Sequence, residues 1–591
     1  MRAGGRVGAQ AAALARSPLP WLLLLVTPML AAVVDLLTSL SSDYSVISDQ
    51  ATMELHVREA GRHLLEVGPF SRYGWSHPGP AIYYLSAPLY HLMGQRSQSF
   101  AVLALVVNAL SVVGVALVVR RRLGHGAMIW AVLALALYAR TLGPHFLRDS
   151  WNPYLPVLPF LFAVVLLWSV LLGSAWALPA VAVLLSFAMQ CHVGYAPPVL
   201  AVLLTTAGLA VLQSLARRWR APLTAPGGAA ADVGAARRPT TAGRRALLRW
   251  AAASATAVVL TVLMWLPTII QQLTHHPGNL TLVWRYFRTT RPDYTLADGV
   301  RQLSNAVAEL PAFITGTDPS HTFPYPPALP AWEGALGGAL LLAALVAAVA
   351  LRRWRVLALG VLALAVAATG VVSVSRVTGP LFDYLFKWIN VAGVLLWIVV
   401  GIVALDAARA LAGHRAARAT AEPAATDRPA GRPGATSRPA RLAGAVAAVG
   451  LVTLTAFGSI GSVQVDTPQT DTTGTITRLA DAVAAYVKPH PGALVRVDFA
   501  TTTHPVLVGT PFVGAGLVLA LQKRGVPVRT LRFWELPFGP RLVADQSRVR
   551  FVAIIAYADG SSPPPGPRQR VLATAGEYEV YAGPLSPEAA R

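Results

Sequence analysis

Long apolar runs separated by polar stretches recur along most of the chain. About eleven of these runs are long enough to cross a bilayer as α-helices. They lie near 19–40, 98–119, 126–143, 155–173, 175–190, 196–215, 250–270, 334–351, 356–374, 388–406 and 442–462. The pattern predicts a polytopic α-helical membrane protein. The composition agrees, since 54% of the 591 residues are hydrophobic and only 13% are charged.

Arginines are concentrated in alternate loops between these runs. The clusters fall at 120–122, 217–249, 352–355 and 409–441. An excess of Lys and Arg marks cytoplasmic loops, so the pattern predicts a cytoplasmic N-terminus in the plasma membrane. Most of the net charge of +22 then orients the chain and contacts anionic membrane lipids. No basic module interleaved with aromatic residues is present, which argues against a nucleic-acid partner.

The segment after the last apolar run has the pattern of a soluble fold. Strands are predicted at 493–499, 526–531, 549–556 and 578–582, with a helix at 511–524. We therefore expect two domains, a membrane domain at 1–465 and a small extracytoplasmic α/β domain at 466–591. The Ala-, Pro- and Arg-rich segments 216–249 and 407–441 are predicted to be mobile linkers.

The outer loop at 41–97 is the most informative segment, because a simple turn needs only a few residues. A helix is predicted over about 49–66, lying in the membrane interface. Its apolar positions would face the membrane: Met53, Leu55, Val57, Leu64 and Leu65. Asp49 in its first turn is favoured by the helix dipole and should stay ionised, as a general base must. The alternative is a helix-terminal residue that only accepts backbone N–H groups.

A second feature of this loop is the segment SRYGWSHPGPAIYYL at 71–85. Its two prolines end one helix and begin another. Arg72 and His77 are candidates to meet a phosphate, Trp75 to stack on a sugar ring, and Tyr83 to join an interfacial aromatic belt. An anchoring turn with belt residues is the alternative.

Further polar residues lie just outside other apolar runs. Arg148, Asp149, Trp151 and Asn152 form one group, for which a surface ion pair is the alternative. His192 ends another run, where polar groups often line a cavity, although a lone histidine at a helix end is more often structural. Arg376 and Lys387 belong to the loop SRVTGPLFDYLFK. Glu54 and Arg58 follow Asp49 at helical spacing.

Other kinds of site find no support in the sequence. The single cysteine, Cys191, excludes an intramolecular disulfide and a cysteine-based zinc site. The C-terminal segment has no glycine-rich phosphate loop and no metal-spaced His or Cys cluster.

Together these features resemble the GT-C superfamily of membrane glycosyltransferases, which includes protein O-mannosyltransferases, the lipid A aminoarabinose transferase and arabinofuranosyltransferases. The resemblance rests on Asp49 in SDQATMEL, on SHPGPAIYYL and on WNPYLPVLPF at 151–160. It implies a GT-C-like architecture over about 19–400 and an enzyme that transfers a hexosyl or pentosyl group. The donor would be a polyprenyl-phosphate sugar, and the acceptor a cell-envelope glycan, lipid or protein outside the cytoplasm.

The resemblance also implies roles for individual residues. Asp49 would be the general base, with Asp43 as the fallback, and the following Gln50 departs from relatives that have adjacent acids. No cofactor is certain; the superfamily leaves a divalent metal open, although no dedicated carboxylate cage is seen. The candidate substrate-binding residues are Asp43, Glu54, Arg58, Arg72, Trp75, His77, Tyr83, Arg148, Asp149, Trp151, Asn152, His192, Arg376 and Lys387.

Two other classes of function fit parts of the same pattern. A transporter or flippase of lipid-linked saccharides would share the amphipathic loops, but should show internal repeats and charged or broken helices at mid-membrane. A non-catalytic assembly scaffold would depend on 466–591 rather than on Asp49.

Overall fold

The structure is a computed structural model that describes residues 17–39, 44–220, 241–315, 325, 329–421, 438–464, 469–500 and 510–585. Its α-helices are α1 (Leu19–Thr38), α2 (Ser48–Glu59), α3 (Ala81–Leu92), α4 (Gln98–Leu123), α5 (His125–Arg148), α6 (Val157–Leu171), α7 (Leu178–Cys191), α8 (Ala196–Arg220), α9 (Thr241–Thr274), α10 (Asn279–Thr289), α11 (Leu296–Thr315), α12 (Ala331–Ala350), α13 (Trp354–Val374), α14 (Asn390–Ala421), α15 (Arg438–Gln464), α16 (Thr470–Val487), α17 (Thr510–Lys523) and α18 (Glu535–Phe538). Its strands are β1 (Phe70–Ser71), β2 (Trp75–Ser76), β3 (Leu494–Phe499), β4 (Val528–Thr530), β5 (Val549–Tyr557), β6 (Arg570–Ala575) and β7 (Tyr578–Pro584).

Every predicted apolar run forms a helix, and the predicted class of a multi-pass helical membrane protein is confirmed. Within the described ranges, nine helices are long and apolar enough to span a bilayer, namely α1, α4, α5, α8, α9, α12, α13, α14 and α15. The other two apolar helices, α6 and α7, are shorter. Helix α6 is buried almost all round, which explains its continuous apolar sequence.

The segments predicted to be linkers are partly helical. Helix α8 continues to Arg220, α9 begins at Thr241, α14 continues to Ala421 and α15 begins at Arg438. Alanine and arginine are strong helix formers, so these Ala- and Arg-rich stretches prolong the neighbouring helices. The rest of both predicted linkers lies outside the described residues.

The long loop before α12 contains two helices that the hydrophobic pattern did not predict, α10 and α11. Helix α11 packs into the bundle against α12, α13 and α14. Gly299 permits this approach, because a Cβ there would lie 2.2 Å from the Val371 carbonyl oxygen. Helix α11 therefore adds a layer to the bundle at the end where the first loop folds.

The C-terminal segment forms a five-stranded sheet with the order β4-β3-β5-β7-β6. Strands β3, β4 and β5 are parallel, and β7 is antiparallel to both β5 and β6. The four predicted strands and the predicted helix are present. Strand β6 and helix α16 were not predicted, since Arg570–Ala575 is largely exposed and α16 is rich in threonine. The domain division at residue 465 stays a prediction.

Helix α17 lies between the sheet and α2, which explains why it is apolar on every side. Gly516 permits the contact with α2, since a Cβ there would lie 2.7 Å from the Val46 carbonyl oxygen. Tyr44, Val46, Ala51 and Leu55 consequently share one hydrophobic core with the C-terminal sheet.

This arrangement corrects the interfacial-helix prediction for the first loop. Leu55 faces α17, whereas Met53 and Val57 pack against α3 in a separate cluster. All three are buried within protein rather than turned toward lipid. The helix also ends at Glu59, earlier than predicted, and only Leu64 of the expected apolar face is exposed.

A buried ion pair fastens α2 to α17. Lys523 Nζ lies 2.5 Å from Glu54 Oε1, and the Glu54 side chain is fully buried. Tyr90 and Ser97 donate their hydroxyl groups to the same carboxylate, while Arg58 donates to Tyr90 at 3.2 Å. Glu54 and Arg58 are thus occupied in fastening the loop, away from any open site.

We expect Lys523→Met to lower the free energy of unfolding by about 3 kcal/mol, because it leaves the buried Glu54 carboxylate without its cation. The measurement is denaturation of the purified protein in detergent. The double variant Glu54→Gln/Lys523→Met should regain part of the loss, because no buried charge is then unpaired. Equal stability of the single and double variants would contradict the ion-pair interpretation.

Candidate active site

Two carboxylates meet at the end of the bundle where the first loop folds. Asp49 lies in the first turn of α2, and Asp149 directly follows α5. Trp151 donates its indole N–H to Asp49 Oδ2 at 2.8 Å and its backbone N–H to Asp149 Oδ1 at 2.8 Å. One tryptophan therefore holds both acids, although they are 100 residues apart in sequence.

The local sequence explains how Asp149 reaches this position. Helix α5 is kinked at Gly143, whose φ of 81° favours glycine, and Pro144 follows. The kink redirects the last turn of α5. Asp149 then leaves the helix with an extended backbone and turns toward α2.

Burial changes the acidity of both carboxylates. The pKa of Asp149 is raised to about 6, mainly by burial and to a smaller extent by the nearby charge of Asp49. The backbone N–H of Trp151 and the Gln50 amide donate to this carboxylate and oppose the rise. Burial also raises the pKa of Asp49, and the Trp151 indole opposes that effect. The first-turn position was expected to keep Asp49 ionised. Desolvation raises its pKa, which makes the ionised Asp49 a stronger proton acceptor than an ordinary aspartate.

One oxygen of Asp49 is left for a substrate. The indole of Trp151 binds Oδ2, and within the part of the chain that the structure describes no side chain or backbone group binds Oδ1. A carboxylate oxygen that has no hydrogen-bond partner can accept a proton from an incoming hydroxyl.

Two histidines with adjacent, tilted rings lie on the neighbouring segments. The rings of His77 and His192 are 4.4 Å apart between centroids. The backbone N–H of Val193 donates to Nδ1 of His77, and that of Gly194 donates to Nδ1 of His192, each at 3.2 Å. Burial lowers the pKa of both, to about 4 for His192. Both rings are therefore neutral and carry their proton on Nε2.

Side chains of neighbouring segments hydrogen-bond to the backbone of the β1–β2 hairpin and of the residues that follow it. The Asn279 side chain accepts from the Ser76 N–H and donates to the Ser76 carbonyl, both at 2.8 Å. Gln190 accepts the Ala81 N–H at 3.2 Å, and Thr268 donates to the Pro78 carbonyl at 2.9 Å. These hydrogen bonds, with the one from the Val193 N–H, hold His77 beside the end of α7.

Aromatic rings surround the acids. Tyr384 lies 4.7 Å from Trp151 and 5.7 Å from Phe382 between ring centroids. The guanidinium of Arg72 lies 4.9 Å from the Phe382 centroid, and its charge acts on Tyr384. Arg72 is exposed, which makes it an accessible cation at this rim.

Two aromatic predictions are corrected. Trp75 is only 4% exposed and is packed among Tyr73, His77, Tyr286 and Phe287, so its ring is covered rather than open to a sugar. Tyr83 is buried against His56 at 5.0 Å and does not face the membrane interface. Both face inward because the hairpin and α3 pack on the bundle.

The remaining candidates lie apart from the two acids or have structural partners. Arg148 is buried and donates to the Ser462 carbonyl, which excludes the surface ion pair. Asn152 donates to the Cys191 carbonyl at 2.9 Å. Lys387 pairs with Asp383 at 3.1 Å.

Two further candidates complete the set. Arg376 is exposed, and its side chain makes no ion pair with any described residue. Asp43 lies outside the described residues.

Metal-ligating side chains do not gather at this site. In the described part of the chain, no three His, Cys, Asp or Glu side chains come together at metal-binding distance. The hydrogen bonds that these two carboxylates accept come from N–H donors of Trp151 and Gln50.

Sequence reasoning missed Tyr384, Gln50 and Gln469 as parts of this site. Tyr384 belongs to the loop that contains Arg376 and Lys387, so its position outside an apolar run was the available signal. Gln50 was noted only as a departure from an acidic pair. Gln469 had no signal, because it reaches α2 only through the folded C-terminal segment.

Comparison with known proteins relates the chain to solved structures only, since no family model and no curated protein matches it. The crystal structure of ArnT from Cupriavidus metallidurans bound to undecaprenyl phosphate is 15% identical, covers 96% of this chain and 98% of its own, and has a TM-score of 0.50. Arabinofuranosyltransferase AftD from Mycobacteria is 16% identical, with coverage of 96% and 40% and a TM-score of 0.42.

The Archaeoglobus fulgidus oligosaccharyltransferase, solved with Zn and sulfate, is 13% identical, with coverage of 90% and 67% and a TM-score of 0.41. The likeness to ArnT extends over nearly the whole of both chains. The chain therefore has a GT-C-type fold.

We expect Trp151→Phe to raise the pKa of Asp49 by about one to two units, because a donor to the ionised carboxylate is lost. The measurement is a pH titration of the infrared carboxyl band that disappears in Asp49→Asn. Trp130→Phe is the matched control, since that indole donates to the Trp397 carbonyl. An unchanged midpoint in Trp151→Phe would contradict the assigned hydrogen bond.

Proposed function

We propose that the protein is a glycosyltransferase that takes a sugar from a polyprenyl-phosphate donor and transfers it to a hydroxyl of an envelope glycan, lipid or protein. The observation that carries the proposal is the pair Asp49 and Asp149, held by Trp151 at one end of the helix bundle. The GT-C-type fold supports it, and ArnT, which shares that fold, was solved with undecaprenyl phosphate.

The proposed reaction is a single displacement at the anomeric carbon. The acceptor hydroxyl oxygen forms the new bond to that carbon, and the bond from the carbon to the donor phosphate oxygen breaks. The phosphate leaves with the bonding electron pair, and the hydroxyl proton passes to Oδ1 of Asp49. Because phosphate is already a good leaving group, one base and stabilisation of the departing charge are sufficient.

The histidine pair and Arg72 suit the departing phosphate. Neutral His77 and His192 each keep one Nε2–H that can donate to an anionic oxygen without a change in protonation. Arg72 adds a permanent charge at the exposed rim. In this proposal Tyr384, rather than the covered Trp75, presents a ring beside the acids.

The proposed orientation follows from the arginines. Trp168 donates to the Arg355 carbonyl and Arg355 to the Arg122 carbonyl, so these arginine-rich turns meet at one end of the bundle. In this proposal that end is cytoplasmic by the positive-inside rule, and the acids and the C-terminal sheet lie on the outer face.

We expect Asp49→Asn to reduce sugar transfer about 10²- to 10⁴-fold, because it removes the proton acceptor. The measurement is transfer from a panel of polyprenyl-phosphate sugars to an envelope extract in proteoliposomes. Asp481→Asn is the matched control: it removes an exposed acid that pairs with Arg524 on the C-terminal segment.

The outcomes separate the classes of function. Full transfer by Asp49→Asn would remove Asp49 from the base role. Movement of lipid-linked sugar between leaflets without transfer would indicate a transporter. A phenotype lost on deletion of 466–591 but kept in Asp49→Ala would indicate a scaffold.

We also expect kcat/KM to fall with decreasing pH at a pH above the range in which an ordinary aspartate titrates. Burial raises the pKa of both acids, and a base works only when ionised, so protonation at falling pH removes activity. The two acids interact, so the apparent pKa belongs to the pair. Activity that stays constant down to about pH 4, the range of an ordinary aspartate, would contradict this arrangement.

A further inference from the structure

The C-terminal segment reaches the acids through a chain of carboxamides. Gln469 accepts the backbone N–H of Ile47 on Oε1 at 2.6 Å and donates Nε2–H to Gln50 Oε1 at 2.8 Å. Gln50 in turn directs Nε2 toward Asp149 Oδ1 at 3.5 Å. Three segments that are far apart in sequence thus share one line of hydrogen bonds.

The direction of this chain is fixed at both ends. A backbone N–H can only donate, so Gln469 must present its oxygen to Ile47 and its NH₂ group to Gln50. An ionised carboxylate can only accept, so Gln50 must present its NH₂ group to Asp149. Because the Gln469 NH₂ group donates to Gln50, Gln50 must present its oxygen to Gln469, which leaves its NH₂ group for Asp149.

The backbone of Gln469 supports a dedicated role. Its φ of 66° lies in the left-handed region, which non-glycine residues seldom adopt. Gln469 is the N-cap of α16, yet its side chain makes no capping bond to that helix. Strain that persists at one residue indicates that surrounding contacts hold it there, and here the side-chain contacts lead to α2.

We propose that Gln469 is a positioning residue that orients the Gln50 carboxamide so that its N–H, and not its carbonyl, faces Asp149. The C-terminal segment thereby sets the charge environment of a carboxylate that directly follows the membrane-spanning helix α5. This relay of hydrogen bonds, from Gln469 through Gln50 to Asp149, rests on the proposed function only in so far as Asp149 takes part in sugar transfer.

Several other ionisable groups lie near Asp149 and interact with its charge independently of the relay. Asp49 faces it from α2, Tyr44 from the segment before α2, and Tyr154 from the turn after it. Arg148 precedes it in sequence. A cavity of about 20 Å³, enough for one water, adjoins Gln50, Arg148 and Asp149. None of these groups changes when the relay alone is altered.

The decisive variant is Gln469→Glu. The introduced carboxylate still accepts the Ile47 N–H, so the backbone contact is kept. It cannot donate to Gln50, whose amide must then turn its NH₂ group toward the new carboxylate and its carbonyl toward Asp149. The infrared midpoint of Asp149, assigned by its loss in Asp149→Asn, should rise by about one pH unit or more, because a donor is replaced by an acceptor.

A double-mutant cycle separates the relay from the added charge. In a Gln50→Leu background the relay is absent, so Gln469→Glu should produce only the smaller shift due to its charge. Gln50→Leu alone should raise the midpoint, because it removes the donor to Asp149. Gln522→Glu, the same change at a half-buried glutamine of α17, should leave the midpoint in place.

The readings distinguish the relay from the proposed function. Equal shifts from Gln469→Glu in the wild-type and Gln50→Leu backgrounds would overturn the relay, as would a midpoint that does not move. If Gln469→Glu does not fold, an unchanged midpoint in Gln50→Leu overturns the relay instead. The titration needs no activity, so wild-type protein that transfers no sugar but shows the shifts would overturn the function and support the relay.

Discussion

Helix α2 has only 12 residues and contacts protein on opposite faces. Met53 and Val57 pack toward α3, and Leu55 packs toward α17. A helix this short is marginal in water, so its position depends on these tertiary contacts. Asp49 sits in its first turn, and the geometry of the acid pair therefore depends on the burial of α2 between the bundle and the C-terminal layer.

The same burial gives the site its chemistry. Removing Asp49 and Asp149 from water raises the pKa of each, and the Trp151 donors offset part of that rise. A carboxylate whose pKa is raised is a better proton acceptor than an ordinary aspartate. The contacts that bury α2, including the Glu54–Lys523 ion pair, thus contribute to reactivity as well as to stability.

Residues of similar type have different roles because of where the fold places them. Glu54 is an acid in the same helix as Asp49, yet it is fully buried and paired with Lys523. Arg148 is buried within the bundle, whereas Arg72 lies exposed above aromatic rings. No sequence pattern separates these cases, because each depends on partners that are distant along the chain.

The sequence by itself determined the membrane class, the eleven apolar helices and four strands of the C-terminal sheet, since hydrophobic length and period are local properties. It also singled out Asp49, Asp149 and Trp151 as polar residues beside apolar runs. Only the tertiary structure decided that Trp151 joins the two acids, that Trp75 and Tyr83 are covered, and that Gln469 reaches Gln50. The contacts of Trp151 with Asp49 and of Gln469 with Gln50 join residues 102 and 419 positions apart, so they arise only when the bundle and the sheet pack together.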